Sequence, residues 1–345
     1  MRVNRLRDHL GPVRTSPAVR FDGRRGPFLS TGKTMRIRTT LGAVSGALAL
    51  SVVVAPAVQA ADAPSRGDRV ASVLAAHQAA SAGSDRSAFS AAAADEGTPY
   101  ALNLTFSGVK VNAGKPIAVG TTAKKTVPLT FKVTHAADID LDAEDFELDV
   151  FLYRGTLEKP VNVLIGDDYP VCTATSATTA SCKGTVDIYP ADGDLMNADA
   201  TTWKAVGYAV DWNDQLMADE PDWSKVGYTE ADNLTTTRLQ RFSKLTVNAA
   251  PEPVKKGATL TVTGQLSRAN WETGKYNGYA GQSVKLQYRT KNATSYTTIK
   301  TIKTNSYGNL KTTVKASADG YYRYSFAGTT STPAVNAAGD FVDVR

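Results

Sequence analysis

A chain of 345 residues with 42% apolar side chains is long enough for two domains of ordinary size, each burying its own core. The net charge of +6 points to a nucleic-acid partner only if the basic residues are spread along the chain, and they are not. Residues 1–60 carry +8, while the rest holds 29 basic and 31 acidic side chains, so no nucleic acid is expected as partner.

Residues 1–34 contain eight Lys/Arg and two Asp/Glu and precede Met35. From Met35 the chain reads MRIRTT, then the apolar run LGAVSGALALSVVVAPA, then VQA before Ala61. This is the positive, apolar and small-residue order of a secretory signal peptide, and its Gly, Ser and Ala content and Pro56 argue against a membrane anchor. The reading is therefore an upstream mis-start extension over 1–34, a signal peptide over 35–60 and a mature chain from Ala61. No later apolar run of about 18 residues follows, so the mature chain is expected to have no membrane span and to be secreted, in an extracellular location.

Residues 61–98 are rich in Ala and Ser. Val70, Val73, Leu74 and His77 share a helical face, but so short a stripe does not hold a helix without a docking surface. The expectation is a flexible spacer.

Residues 99–242 change texture to short alternating runs parted by Gly, Pro, Asn and Asp: ALNLTF, TVPLTFKV, FELDVFLYRG, VNVLIG and GTVDIYP. In TVPLTFKV, Val127, Leu129, Phe131 and Val133 fall on one face, as in a half-buried strand. Cys172 and Cys182 enclose only Thr, Ser and Ala; in an exported chain this spacing predicts a structural disulfide rather than a metal or redox pair. In DIDLDAEDFELDV, Asp138, Asp140 and Asp142 line one side of an extended segment and, with Asp167 and Asp168, form a candidate set for Ca²⁺, the one cofactor considered. The stretch has Ala143 and Asp149 where a helix-loop-helix calcium loop needs Gly and Glu, so solvated carboxylates are the plainer expectation.

WKAVGY (203–208) and WSKVGY (223–228) are near copies and suggest paired strands. Alternation sets Trp203, Ala205, Gly207 and Ala209 on one face, the pattern of a core Trp over small residues. Trp212, Trp223 and Tyr228 lie in an Asp-rich stretch and are the candidates for exposed rings that stack on sugars. Nucleophilic chemistry finds little support: the mature chain has two histidines, His77 and His135, and no GxSxG, HExxH or phosphate-loop motif. Paired carboxylates of a hydrolase leave no sequence motif to recognise, so that class stays open.

Residues 243–345 show seven strand signals: KLTVN, ATLTVTG, SVKLQYR, YTTIKTI, GNLKTTVKA, GYYRYSF and DFVDV. Seven short strands in about 100 residues argue for an immunoglobulin-like sandwich. Charge divides at the same boundary: residues 99–242 hold 12 basic and 21 acidic side chains (net −9), and residues 243–345 hold 14 and 5 (net +9).

TTTRLQRFSKLTVNAAPEPVKKGATLTVTGQLSRANW, GYAGQSVKLQYRT and DGYYRYSFAGTTSTPAVNAAGDFVDVR together resemble the secreted proteins of actinobacteria built from bacterial immunoglobulin-like β-sandwich domains. The likeness is strong over 234–345 and weaker over 99–233, and the stretch WNDQLMADEPDWSKVGYTEADN departs from it. The resemblance implies fold and export; members are mostly of unassigned function, and no catalytic residues carry over. The expectation is an all-β chain of two immunoglobulin-like sandwiches in tandem after a signal peptide and an Ala-rich spacer. It would act without catalysis as a binding or structural module in the medium or at the cell envelope, with an envelope polymer or polysaccharide as partner. The alternatives are a carbohydrate-binding module on Trp212, Trp223 and Tyr228, and a calcium-binding secreted protein.

Overall fold

The computed structural model describes residues 66–82 and 97–345, apart from 217 and 219. The expected extension, the signal peptide and the flanks of the Ala-rich segment lie outside the described residues. One long helix, α1 (Arg66–Ala82), precedes a series of strands. The first ten are β1 (Tyr100–Ala101), β2 (Leu104–Val111), β3 (Ile117–Val119), β4 (Lys125–His135), β5 (Phe146–Gly155), β6 (Pro160–Leu164), β7 (Val171–Ser176), β8 (Thr179–Ile188), β9 (Thr202–Asp211) and β10 (Gly227–Arg241). Then come β11 (Ser243–Leu245), β12 (Asn248–Ala250), β13 (Thr259–Asn270), β14 (Lys275–Gly278), β15 (Ser283–Thr290), β16 (Thr297–Lys303), β17 (Asn309–Lys315), β18 (Gly320–Phe326), β19 (Val335–Asn336) and β20 (Asp340–Val342). The fold is all-β. Among the described residues no helix is long and apolar enough to cross a membrane.

In the N-terminal half, β2-β4-β8-β7 form one sheet and β10-β9-β5-β6 another, with β1 and β3 added parallel to β10. Lettered in chain order from A, with β6 as C′, these strands give ABED facing GFCC′, which is the immunoglobulin arrangement. In the C-terminal half β13 pairs with β11 and β12, and with β14 and β17, while the opposing sheet runs β16-β15-β18 with β19 and β20 on the far side. That is ABE against C′CFG, a related order without a D strand, with the first and last strands each divided and β14 added beside the second.

Period-two patterning places the inner faces. Val127, Leu129, Phe131 and Val133 of β4 are all buried, as their spacing predicts, against Leu148, Val150 and Leu152 of β5 and Trp203 of β9. Gly207 explains the small face of β9: a Cβ there would lie 2.8 Å from the Phe106 ring. Trp203 is fully buried and donates from Nε1 to the Asp199 carbonyl (2.9 Å). Val284 and Leu286 of β15 and Leu310 of β17 meet Tyr322, Tyr324 and Phe326 of β18 in the second core. Cys172 and Cys182 form the disulfide, directly opposite one another on β7 and β8. It therefore ties neighbouring strands within a sheet, not the two sheets to each other as in antibody domains.

The two halves meet at a joint only one residue long, Phe242. Trp271, just past β13, is 4% exposed, sits in the N-terminal core and donates from Nε1 to the Gly120 carbonyl (2.8 Å). Asn197 donates to Asn270 (2.8 Å) and Glu272 (2.6 Å), and Arg241 Nε donates to the Ala269 carbonyl (2.6 Å). Gln240 reaches the Thr329 carbonyl (3.2 Å), and the Arg241 amide that of Ser331 (2.9 Å).

One expectation is corrected. Residues 66–82 of the supposed flexible spacer form a helix that packs on β9 and β10. The short stripe read from the sequence is inadequate alone, and the sheet, against which Val73 and Ala76 are buried, supplies the docking surface that isolated-helix reasoning leaves out.

Closing the loop between Cys172 and Cys182 contributes about 2–3 kcal/mol by restricting the unfolded chain. The double variant Cys172→Ala/Cys182→Ala is expected to lose that amount in urea unfolding; a loss below about 1 kcal/mol would show that the β7-β8 pairing needs no covalent tie.

Candidate functional site

Strand β9 is buried on both faces. Trp203, Ala205 and Ala209 point into the sandwich, whereas Val206, Tyr208 and Val210 point outward into a second cluster with Phe151, Tyr153, Trp212 and Tyr228, closed by Val73 and Ala76 of α1. An immunoglobulin-type GFCC′ sheet with a solvated outer face would carry polar residues there; this one carries aromatic and branched side chains that need a cover.

The helix brings a charge into that interface. Arg69 is 2% exposed, and its guanidinium pairs with the buried Asp149 carboxylate of β5. It also donates from Nη1 to the carbonyls of Gly166 (3.3 Å) and Asp167 (3.1 Å) and lies 3.7 Å from the centre of the Tyr169 ring. Glu147, two residues along β5, is buried beside them. The Tyr169 hydroxyl and the Trp212 indole N–H lean toward its carboxylate without reaching hydrogen-bond geometry. Desolvation pushes the Asp149 carboxyl up to about 7, the Arg69 charge holding it back from rising further. Burial likewise raises Glu147 above the usual carboxylate range. At the other end of the helix, His77 Nδ1 is 2.8 Å from Glu230 Oε2, which also accepts from the Tyr228 hydroxyl (2.6 Å). Helix α1 is thus held by the Arg69–Asp149 ion pair and by the His77–Glu230 contact, a role sequence reasoning misses because Arg69 and Asp149 are 80 residues apart.

The candidate sugar-stacking residues are brought together here but do not form an open shelf, which corrects that expectation. Trp212 and Tyr228 are 3% and 8% exposed, and Trp223 is half-buried against Trp212, ring centres 6.1 Å apart. The Asp-rich sequence around them suggests solvent, but Trp212 and Tyr228 belong to the cluster that Val73 and Ala76 of α1 close. The near copies WKAVGY and WSKVGY are not paired strands: WKAVGY lies wholly within β9, whereas Trp223–Lys225 form a 3-10 turn and only Gly227 and Tyr228 enter β10, where Tyr228 pairs with Val210 and Tyr208 with Glu230.

The five candidate calcium ligands are not assembled, a second correction. Asp138 and Asp140 are exposed at the end of β4, on an open acidic cleft of about 590 Å³ shared with Tyr100, Asp145, Asp211 and Asn213. There Tyr100 donates to Asp211 (3.0 Å), Asn213 donates to Tyr100 (3.0 Å), and the Asp142 amide donates to Asp140 (3.0 Å). Asp167 belongs to the opposite end of that eleven-residue strand, where Lys124 bridges it (2.6 Å) and Asp187 (3.0 Å); exposed Asp168 follows it in the chain. Burial would raise the Asp187 carboxyl, but hydrogen bonds from Thr126, the Asp167 amide, Thr185 and Lys124 outweigh it and bring it down to about 2. Among the described residues no group of three or more His, Cys, Asp and Glu side chains is placed to hold a metal ion. His135 caps a turn, its Nδ1 2.9 Å from the Ala136 carbonyl.

No family model matches the chain, and no curated protein matches it. Among solved structures it is similar to the D00-D0 domain of intimin, at 14% identity over 68% of this chain and 99% of that one, with a TM-score of 0.22. It is also similar to the mouse nectin-like molecule 4 ectodomain (14% identity, 71% of this chain and 65% of that one, TM-score 0.20). A third is dimeric latent PorU from Porphyromonas gingivalis (11% identity, 70% of this chain, TM-score 0.23), of which the chain spans only 20%. Overlays this loose carry no argument, and the immunoglobulin assignment rests on the strand order described above.

Removing Arg69 leaves Asp149 and Glu147 buried without a counter-charge. Arg69→Ala is expected to cost about 3–5 kcal/mol in urea unfolding, and Arg69→Met with Asp149→Leu to recover most of it. An acid whose folded pKa is raised binds its proton more tightly when folded, so the Asp149 contribution to stability declines as pH rises from 3.8 to about 7. Asp187 acts the other way: its contribution is present above 3.8 and is lost as pH falls toward about 2. Thermal melts against pH should therefore flatten on the neutral side in Asp149→Asn and on the acid side in Asp187→Asn. Unchanged profiles would show that neither carboxyl differs between the folded and unfolded chains.

Proposed function

We propose that the chain is an exported, non-catalytic binding or structural module in which two immunoglobulin-like sheet pairs act as one stiff arm. The observation that carries this reading is the joint. Relative motion is the default where halves meet through small polar contacts. Here Trp271 is inserted into the core of the other half, and Asn197, Gln240 and Arg241 lace the margins. Export is supported by the Cys172–Cys182 disulfide, a bond that persists in oxidising compartments. A stiff arm keeps the acidic half (net −9) and the basic half (net +9) from folding back on each other. Among the described residues every ion pair joins groups on the same side of the joint, so opposite charge does not hold it together.

Small-angle scattering tests the reading. The wild-type radius of gyration should be the same at low and high salt, and Trp271→Ala should broaden the distribution of dimensions while leaving both cores folded. A wild-type chain that already requires a broad ensemble, or that contracts at low salt, would contradict it.

A further inference from the structure

We propose that the outer face of the β16-β15-β18-β20 sheet binds an anionic polysaccharide, with Arg289 and Arg323 holding its acidic groups; this deepens the reading of the chain as an exported binding module. The register sends Val284, Leu286, Tyr322 and Tyr324 inward and leaves Lys285, Gln287 and Arg289 of β15 beside Ser325, Arg323 and Tyr321 of β18 on the outer side. Strands β15, β16 and β18 contain five Lys/Arg and no Asp or Glu.

The two guanidinium groups are held in place. Arg289 lies 3.9 Å from the centre of the Tyr321 ring, and Arg323 lies 3.9 Å from that of Tyr296. Arg323 Nε donates to Gln287 (2.8 Å) and Arg289 Nη1 to the Ala293 carbonyl (2.8 Å). Both arginines are half-buried, and neither meets a carboxylate among the described residues, whereas Arg69 and Arg154 in the N-terminal half each do. Stacking has already removed their rotamer freedom, so an incoming anion does not bear that cost. The rings cover the guanidinium planes and leave N–H edges, the geometry that matches a carboxylate or sulfate fork.

The covered rings also select the partner. Single-stranded nucleic acid is gripped by bases stacking on open aromatic faces, and Tyr296 and Tyr321 already carry guanidinium groups. A polysaccharide with acidic groups along its length needs only the N–H edges, with Lys285 and Lys303 for further charge and Gln287, Thr298 and Thr301 for its hydroxyls.

Affinity electrophoresis of the intact chain in gels containing polygalacturonate tests the assignment, with neutral dextran and a thymidine 20-mer as comparison ligands. The expected result is retardation by polygalacturonate alone, weakened about tenfold or more by Arg289→Gln/Arg323→Gln at unchanged circular dichroism. Lys110→Gln/Lys132→Gln, on the distant β2-β4 sheet, should change it less than about twofold. Equal binding of the oligonucleotide, equal loss in the lysine variant, or concentration-dependent self-association in place of polymer binding would each overturn the assignment. Retention by dextran, insensitive to the arginine pair, would overturn this face while leaving the binding-module reading standing.

Discussion

The β10-β9-β5-β6 sheet is apolar on both faces, and the N-terminal half is organised around covering the outer one. Its inner face is served by the β2-β4-β8-β7 sheet in the ordinary way. The outer face, with Phe151, Tyr153, Val206, Tyr208 and Val210, would be an exposed aromatic surface without α1. The helix itself is a weak former of structure on its own, with two buried apolar side chains among those described, Val73 and Ala76. Each therefore depends on the other. Arg69 makes the match specific, because Asp149 and Glu147 beneath it are tolerable in the interior only with a positive charge from outside the sheet.

The same economy of apolar groups shapes the joint. Trp271 follows a C-terminal strand but packs at the edge of the N-terminal core, whereas the C-terminal core is built from its own half alone. Most apolar rings are consumed by the two cores, the helix interface and the joint; Tyr100, Phe242 and Tyr307 stay exposed, and Tyr296 and Tyr321 stack on arginine in the C-terminal half.

Much of the fold was legible because period-two patterning is local. The inward faces of β4, β15 and β17 could be read off residue by residue, and all seven C-terminal strand signals correspond to strands, with β14 and β19 too short to leave a pattern. The disulfide followed from compartment and spacing. What could not be read was anything set by pairing across the chain. Alternation separates the two faces of β9, but that Val206, Tyr208 and Val210 need a cover shared with Phe151 and Tyr153 of β5 is visible only in the folded chain. The flexible-spacer expectation fails over residues 66–82 for the same reason, since docking is a property of two segments. Trp212 and Tyr228 were misread as exposed from their acidic neighbours, and Asp167 was grouped with Asp138 although the length of β4 separates them.

Hydrogen exchange on the intact chain measures the central interdependence directly. If α1 and the outer sheet face close one another, amides across the middle of α1 should exchange slowly and together with those of β9. Exchange of the α1 amides at the rate of an unstructured peptide, with β9 still protected, would contradict the account.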